Sequence, residues 1–537
     1  MTQLSESKEI EAKRGAVATA FPSATLAGLE MLQAGGNAID AAVAAAWALA
    51  VCEPSGSGLG GSTILLIHAP AGRVVVVNGQ SCAPAAVSKA TVSRRQQMKG
   101  YRACMVPSTV ATLGFAQTRY GLLPPARVME PAIRLAEEGY PVTRLQRRHL
   151  RQCLADLSAQ PEARRLFLKD GRPFKSGDIF RQPELAATLR RLARVGAEDF
   201  YRGQIARDIA EDMARNGGLL TQEDLAGAAL PTEDEPVAIR YRDYEVLSAA
   251  PPAGGTQLLL TLKVLERFPP KDLSGEADDW YEIMAEVIHA VFHDRDLLTA
   301  HPSRLTPSFY EWIFSSPYTK EIAKSMRTPY GESTDQPAPE EPGETTHLCA
   351  GDGQGNIVTL TQSIQSVFGA KVANGKLGFL YNNYLCTSPR RWHPYQLQSR
   401  CIPRSNAAPT LVLKGDASRS RGPGSQHRPL LALGAAGSRR ITSSILQVIS
   451  SVLDRGLPLV QAVGAPRVHA TLGRKVHVEK SAATASLLGR LEKRFRAVQV
   501  RSARSFFMGA VQAIQLAEDG SFVGAADPRR DGTAEAW

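Results

Sequence analysis

The chain has 537 residues, of which 43% are hydrophobic and 21% are charged, and this composition excludes a mainly disordered protein. The net charge of +11 comes from arginines spread over the whole length, without a run of five basic residues, so a nucleic-acid partner is disfavoured. The seven cysteines are far apart and form no CxxC pair, which argues against a disulfide framework and a zinc knuckle.

The first residues, "MTQLSESKEIEAKRGAV", are polar and lack the apolar core of a secretory signal. The longest apolar stretch, residues 38–52, carries Asp40 and is too short to cross a bilayer. We therefore predict a soluble, cytoplasmic protein without a membrane partner.

Two helices are predicted near the N-terminus, over residues 24–36 and 37–52, with Asn37 as the N-cap of the second. The second helix is apolar nearly all round, which predicts burial. A glycine-rich loop at residues 56–61 follows, and it leads into two strands joined by the turn "PAGR". Residues 120–330 are predicted to be mostly helical.

Later in the chain the hydrophobic period becomes that of strands. The sequence "HLCAGDGQGNIVTLTQS" predicts a hairpin around the turn "DGQGN", and residues 513–526 predict another. Between them, residues 438–456 predict a helix closed by Gly456, and residues 414–429 predict an exposed loop. Helix pairs followed by strands, helix and strands indicate an α+β fold of packed layers.

Two motifs have weak functional interpretations. The sequence "GSGLGG" at residues 56–61 matches GxGxxG, but a helix precedes it and a strand follows, which is the wrong order for a dinucleotide site. Glu286, His289 and His293 share one predicted helix face and would form part of a metal site. Buried structural histidines are the favoured interpretation, because the chain has no second such motif. We therefore predict neither a metal nor a cofactor.

Hydroxyl groups are concentrated at the base of the first hairpin. If this hairpin is symmetric about Gln354, Thr345 lies opposite Ser363 and His347 lies opposite Thr361, with opposed Cβ atoms about 5 Å apart. The alternative interpretation is an ordinary strand, in which threonine is common because it favours β-structure.

The segment upstream of the hairpin favours a functional interpretation. Residues 328–344 are predicted to be a flexible linker, which would leave the bond between Glu344 and Thr345 available for cleavage. After cleavage Thr345 would carry a hydroxyl and a free α-amine. An amine with a pKa of about 8 can act as the base for that hydroxyl.

Segments spread over nearly the whole chain carry a family resemblance, among them "TTHLCAGDGQGNIVTLTQSIQSVFG" and "ADPRRDG". They are residues 35–61, 106–142, 216–226, 250–259, 345–369, 378–384, 464–470 and 526–532. With these motifs the chain resembles the γ-glutamyltranspeptidase family of N-terminal-nucleophile hydrolases. It is similar to the branches of oxamate amidohydrolase and cephalosporin acylase.

The resemblance implies an αββα sandwich and a precursor that cuts itself before Thr345. The products would be a large subunit of residues 1–344 and a small subunit of residues 345–537. Together they would form one composite domain, a heterodimer, and pairing of two heterodimers stays open.

The resemblance also implies roles for residues around the cut. Thr345 would be the nucleophile, and Thr346 and Ser363 would hydrogen-bond it or its amine. The backbone NH groups of Gly437 and Ser438 would form the oxyanion hole.

The implied substrate-binding positions depart from the family pattern. Transpeptidases bind the substrate α-carboxylate with an arginine and a paired-serine motif, and its α-amine with amide or acidic groups. This chain has Gln80 at the arginine position, and Ser405 and Asn406 at the paired serines. At the α-amine positions it has Gln365, Tyr384 and Thr387.

Losing an arginine and a carboxylate removes charge-assisted hydrogen bonds, which are the strong ones. A zwitterionic γ-glutamyl group is therefore expected to bind poorly, unless Arg102, Arg404 or Arg439 takes over the role. The favoured function is a self-cleaving threonine amidohydrolase or acyltransferase that forms a Thr345 acyl-enzyme with a small-molecule amide. A true γ-glutamyl transferase or glutathione hydrolase, and a non-catalytic scaffold with the same fold, stay open as alternatives.

Overall fold

The computed structural model describes residues 11–70, 72–228, 231–293, 304–326, 343–415 and 428–537. Most of the predicted linker at residues 328–344, and most of the predicted exposed loop at residues 414–429, lie outside the described residues.

The strands include most of those predicted and several that were not. They are β1 (Glu11–Ala12), β2 (Gly15–Thr19), β3 (Ser62–His68), β4 (Val74–Gly79), β5 (Tyr140–Pro141), β6 (Ile179–Phe180), β7 (Thr232–Asp234), β8 (Val237–Tyr241), β9 (Tyr244–Ser248), β10 (Thr346–Asp352), β11 (Ile357–Ser363), β12 (Ala373–Asn374), β13 (Phe379–Leu380), β14 (Thr410–Lys414), β15 (Arg428–Ala436), β16 (Val468–Ala470), β17 (Lys475–Glu479), β18 (Ala497–Arg501), β19 (Ala510–Leu516), β20 (Phe522–Ala526) and β21 (Thr533–Ala536).

The helices are concentrated in the first two thirds of the chain. They are α1 (Pro22–Gln33), α2 (Ala38–Cys52), α3 (Arg94–Met98), α4 (Thr109–Tyr120), α5 (Pro125–Glu138), α6 (Arg144–Gln152), α7 (Leu154–Ser158), α8 (Pro161–Phe167), α9 (Pro183–Val195), α10 (Asp199–Arg202), α11 (Gln204–Arg215), α12 (Gln222–Ala226), α13 (Gly255–Leu265), α14 (Pro270–Ser274), α15 (Ala277–His293), α16 (Pro307–Ile313), α17 (Ser316–Ser325), α18 (Arg440–Leu453), α19 (Leu459–Gly464) and α20 (Ala485–Arg494).

Two seven-stranded antiparallel sheets form the centre of the molecule. Sheet I has the order β21-β2-β10-β11-β3-β4-β7, and sheet II has the order β1-β20-β19-β15-β14-β9-β8. Each sheet combines strands from before and after the bond between Glu344 and Thr345. The two parts of the chain are therefore joined by strand pairing in both sheets.

Three apolar layers hold the sheets and helices together. Alternate strand residues such as Ala18 and Leu66 of sheet I, and Leu411 and Ile514 of sheet II, are buried between the two sheets. The other face of sheet I packs against α1, α2 and α4, and α5 packs on α2. The other face of sheet II packs against α13 and α18, and α15 packs on α13. This arrangement is the αββα sandwich, and the predicted α+β fold class is confirmed.

The helix prediction near the N-terminus is confirmed to within a few residues. The Asn37 side chain accepts hydrogen bonds from the backbone NH groups of Ile39 and Asp40, and Asp40 accepts one from Asn37 in return. This reciprocal cap fixes the start of α2. Every residue of α2 is buried, as its apolar sequence predicts.

Within residues 120–330 helices do predominate, but β7, β8 and β9 were not predicted there. Strands β8 and β9 have five residues each and turn at Arg242, which has φ +54°. They lie at the edge of sheet II, where β9 pairs with β14, a strand from much later in the chain. A local pattern this short does not show such pairing.

The register of the first hairpin is as predicted. His347 pairs with Thr361 and Thr346 pairs with Gln362, so the turn at Gln354 sets the alignment. The later hairpin is formed by β19 and β20, and the predicted helix between the hairpins is α18. Among the described residues, no helix combines the length and the apolar character needed to span a bilayer. The cytoplasmic location stays a prediction.

Candidate active site

Thr345 directly precedes β10, a central strand of sheet I that is paired on both sides. Its side chain is 6% exposed, and Thr345 Oγ1 lies 3.2 Å from Oγ of Ser363, the last residue of β11. The hairpin register therefore brings the two hydroxyls together as the sequence predicted.

The carbonyl oxygen of Glu344 accepts two hydrogen bonds from hydroxyl groups. Thr345 Oγ1 donates at 2.7 Å and Ser363 Oγ donates at 2.9 Å. The Ser363 hydroxyl in turn accepts a bond from the Gln365 backbone NH at 2.8 Å, which fixes its position. Of the two hydroxyls, Ser363 can remain a donor and stabilise the negative charge that would develop on this oxygen during attack by Thr345 Oγ1 at the carbonyl carbon.

Gly343 and Glu344, which precede the bond to Thr345, are held by backbone contacts. Glu344 donates its NH to the Gln365 carbonyl at 2.9 Å, and Gly343 forms an isolated bridge with Ser366. A side chain at Gly343 would collide with Ser438, so the glycine permits this close approach.

The predicted oxyanion residues lie between β15 and α18. Gly437 has φ +128° and Ser438 has φ +55°, in the region that favours glycine. A serine held there costs on the order of 1 kcal/mol of backbone strain, which the surrounding packing must offset. Ser438 lines the same cleft as Thr345, and Gly437 packs against Gly509.

The Thr346 hydroxyl makes no hydrogen bond to Thr345. Side chains alternate along a strand, so the Thr346 side chain points away from the Thr345 side chain. Its hydroxyl faces the buried carboxylate of Glu53.

The cluster behind the bond between Glu344 and Thr345 comprises Glu53, Glu344, Arg530 and His149, all buried. Arg530 Nη1 contacts Glu344 Oε1 and lies 3.2 Å from Glu53 Oε1 and 3.0 Å from the Thr345 carbonyl oxygen. His149 Nδ1 lies 3.1 Å from Oγ of Ser55, and His149 Nε2 lies 3.8 Å from Glu344 Oε2.

Burial sets the charge states in this cluster. It raises the pKa of Glu53 to about 8, with the neighbouring Glu344 acting in the same direction and Arg530 opposing it. Burial also raises the pKa of Glu344. It lowers the pKa of His149 to about 3, with Arg530 acting in the same direction, so this imidazole is neutral at pH 7. The Arg530 guanidinium therefore faces two carboxyl groups, of Glu53 and Glu344, whose raised pKa values favour the protonated form.

The raised pKa of Glu53 predicts a pH-dependent stability. The folded chain binds a proton that the unfolded chain releases near pH 4.5, so this contribution is lost as pH rises through about 8. In an uncleaved Thr345→Ala background, the thermal midpoint should fall between about pH 4.5 and 8 and then level off. Adding Glu53→Gln should flatten that fall, and equal slopes for the two proteins in thermal unfolding would contradict the assignment.

A cleft opens beside Thr345, and Arg530 is not among its lining residues. Its lining residues are Ser62, Thr63, Ile64, Asn78, Gly79, Gln80, Ser81, Ala253, Thr345, Thr361, Ser363, Gln365, Tyr384, Pro403, Ser405, Asn406, Ala407, Ser438 and Ile441. None of these described residues carries a charged side chain.

Most of the predicted substrate-binding residues line this cleft, namely Gln80, Gln365, Tyr384, Ser405 and Asn406. Thr387 does not, and its hydroxyl donates to the Tyr384 carbonyl at 2.9 Å.

Three arginines were candidates for binding a substrate carboxylate. Arg102 donates to the Thr91 and Gly217 carbonyls. Arg404 Nε lies 3.4 Å from the Thr387 carbonyl, and Arg439 forms the N-cap of α18. None of the three is among the described residues that line the cleft.

The motifs with weak functional interpretations have structural roles. The "GSGLGG" loop runs from α2 into β3, and side chains at Gly60 and Gly61 would collide with the backbone at Leu380 and Ser363. On α15, Glu286 pairs with Arg494 at 2.9 Å and His289 Nδ1 lies 2.9 Å from the Thr471 carbonyl.

The side chain of His293, the third residue of the weak metal motif, lies outside the described residues. Within the described ranges, no group of three His, Cys, Asp or Glu residues could hold a metal ion.

Sequence reasoning did not find Glu53, His149 or Arg530. Glu53 and Arg530 lie within the segments that carried the family resemblance, but nothing in their local sequence shows that they meet. They are 477 positions apart in the chain.

Comparisons with known proteins identify the family of the chain. The family model described as Gamma-glutamyltranspeptidase matches residues 24–537. The chain belongs to the γ-glutamyltranspeptidase family. It is therefore an N-terminal-nucleophile hydrolase, and the predicted enzyme class is confirmed.

Relatives in this family include both hydrolases and acylases. The chain is 33% identical to Acylase ACY 1 proenzyme of Pseudomonas sp. (strain SE83), covering 98% of this chain and 94% of that protein. It is 31% identical to Glutathione hydrolase proenzyme of Escherichia coli (strain K12), covering 97% and 91%. The crystal structure of cephalosporin acylase from Bacillus halodurans has a TM-score of 0.87 at 30% identity, covering 100% and 98%.

Proposed function

We propose that this family member is a self-cleaving threonine amidohydrolase or acyltransferase with Thr345 as its nucleophile. The observation that carries the proposal is the pair of hydroxyls, from Thr345 and Ser363, on the carbonyl oxygen of Glu344. The names of the relatives support it, because both the acylase and the glutathione hydrolase are proenzymes.

Self-cleavage proceeds in two steps. Thr345 Oγ attacks the Glu344 carbonyl carbon, the bond from that carbon to the Thr345 nitrogen breaks, and the hydroxyl proton ends on the nitrogen. An ester then joins Glu344 to Thr345 Oγ. Water adds to the ester carbon, leaves a carboxylate at Glu344, and returns a proton to Thr345 Oγ. The products are chains of residues 1–344 and 345–537.

The freed amine of Thr345 then serves as the base for its own hydroxyl in turnover. A substrate amide in the cleft passes its acyl group to Thr345 Oγ and its amine departs with the proton. Water or an acceptor amine resolves the acyl-enzyme. In this proposal the backbone NH groups of Gly437 and Ser438 stabilise the oxyanion, and each such donor contributes about 3 to 4 kcal/mol.

The first test is the mass of the purified protein. We expect two chains of 344 and 193 residues, the smaller starting with the sequence TTHLC. A stable single chain after long incubation would instead support the non-catalytic scaffold.

The uncharged cleft favours an acyl group without a zwitterionic head. Gln80, Gln365 and Ser405 offer neutral hydrogen-bonding groups to a bound acyl chain. The 33% identity to an acylase supports this substrate class. The second candidate, a glutathione hydrolase, is favoured by the 31% identity to the Escherichia coli enzyme.

Anilide substrates separate these two candidates. We expect the cleaved enzyme to hydrolyse neutral acyl p-nitroanilides faster than γ-glutamyl-p-nitroanilide, because charged partners for the γ-glutamyl head group do not line the described cleft. Gln80→Arg should raise kcat/KM for γ-glutamyl-p-nitroanilide about tenfold by adding a charge-assisted bond. Faster γ-glutamyl turnover by the unaltered enzyme would favour glutathione hydrolase.

A further inference from the structure

Arg530 contacts residues on both sides of the bond that the proposed self-cleavage breaks. On the acyl side, Arg530 Nη1 contacts the Glu344 carboxylate. On the amine side, the same nitrogen lies 3.0 Å from the Thr345 carbonyl oxygen. A single guanidinium nitrogen therefore bridges the scissile peptide.

The guanidinium itself is held in place. Its side chain is 1% exposed, it packs 4.8 Å from the centre of the Phe506 ring, and Glu53 accepts from Nη1 at 3.2 Å. Glu53 follows α2 directly and is 9% exposed. Because Glu53 is buried and directly follows the fully buried helix α2, Arg530 links the bond that is cut to the core.

Other polar atoms in the cluster make no hydrogen bonds with the described residues. Arg530 Nε and Nη2, Glu344 Oε2 and His149 Nε2 are buried and make no hydrogen bond within the described part of the chain. A structural ion pair of an arginine with carboxylates would normally use both ends of the guanidinium. Here the hydrogen bonds of the guanidinium are made by Nη1, and their acceptors are Glu344, the Thr345 carbonyl and Glu53.

The positioning effect follows from these contacts. With Glu344 and Thr345 both fixed, Thr345 Oγ1 is held 2.7 Å from the oxygen of the carbonyl that it attacks. Displacing reacting groups by about 1 Å can slow a reaction on the order of 100-fold.

We propose that Arg530, supported by Glu53, is a positioning residue for self-cleavage that acts through the side chain of Glu344. This inference rests on the proposed function, because it requires that the bond before Thr345 is cut. The inference gives Glu344, the residue before the bond that is cut, a role in cleavage.

The test measures cleavage rates of the full chain by pulse–chase after cell-free translation. Arg530→Met and Glu344→Ala should each slow appearance of the 193-residue fragment by roughly 10- to 100-fold. Arg530→Lys should restore part of the rate, since an ammonium keeps the charge but not the planar fork. If Arg530 acts through Glu344, the double variant should cleave no more slowly than Arg530→Met alone.

A matched control removes a different arginine from a buried carboxylate. Arg242 lies 3.1 Å from Asp454, which is 1% exposed, on the outer side of sheet II. Arg242→Met should lower the thermal midpoint but leave the cleavage rate unchanged. If Arg530 had only a structural role, the effects of Arg530→Met and Glu344→Ala on the cleavage rate would instead add in the double variant.

The outcomes separate this inference from the proposed function. Cleavage of Arg530→Met at the rate of the unaltered chain overturns the inference and leaves the proposed function intact. Failure of the unaltered chain to cleave overturns both. Slow cleavage of Arg530→Met and Glu344→Ala with a non-additive double variant supports the inference.

Discussion

Replacing Thr345 by alanine should leave a single uncleaved chain of 57.8 kDa. The variant keeps the fold but lacks the oxygen that attacks the Glu344 carbonyl. We expect no chain starting at residue 345 on denaturing gels or by intact mass, and amide turnover lower on the order of 10⁴-fold or more.

Thr345→Ser is the matched control for this experiment. Serine keeps the hydroxyl and loses one methyl group, so cleavage should continue at the same bond. A Thr345→Ala protein that still yields a fragment starting at residue 345 would refute Thr345 as the nucleophile.

Replacing Arg529 by methionine should destabilise the fold by about 3 to 5 kcal/mol. The Arg529 side chain is fully buried, and its guanidinium binds Glu479 and Asp527 as well as the Ala465 carbonyl. Removing it leaves buried carboxylates with fewer partners. Burying charge without a partner is among the largest single costs in folding.

Urea denaturation of the uncleaved Thr345→Ala background measures this loss on one continuous chain. Arg202→Met is the control, because Arg202 pairs with Glu198 at 3.7 Å with both side chains about two thirds exposed. Such an exposed pair should contribute less than about 1 kcal/mol. Equal urea midpoints for the Arg529 variant and its background would show that the buried network does not stabilise the fold.

The part of the site that sequence reasoning found depends on local rules. The turn at Gln354 and the period of two along each strand fix which residues face each other, so the contact of Thr345 with Ser363 could be predicted. Asn37 could be predicted as a cap because capping involves residues only three positions apart.

The role predicted for Thr346, a hydrogen bond to Thr345 or to its freed amine, stays a prediction, because that amine does not exist in the uncleaved chain. Adjacency to Thr345 does not place two side chains together on a strand, where neighbours point to opposite faces. The structure directs Thr346 toward Glu53 instead. Thr387 likewise lies near the cleft residues in sequence, but its hydroxyl is used within its own turn.

The cluster around Arg530 could not be predicted, because it depends on which distant segments meet. The end of α2, the last residue before the cut and a loop near the C-terminus supply Glu53, Glu344 and Arg530. Each looks like an ordinary charged residue in its own segment. Only burial in one place raises the pKa of the two carboxyl groups and gives the arginine its contacts.

By itself, the sequence determined the layered fold class, the family and the hairpin register that brings Thr345 to Ser363. These features can be predicted from hydrophobic periodicity, turn residues and motifs, each of which involves residues only a few positions apart. Only the tertiary structure decided that the cleft has no charged lining among its described residues and that one arginine contacts residues on both sides of the bond between Glu344 and Thr345. The physical reason is that charge and burial combine through space, between groups that the chain separates by hundreds of residues.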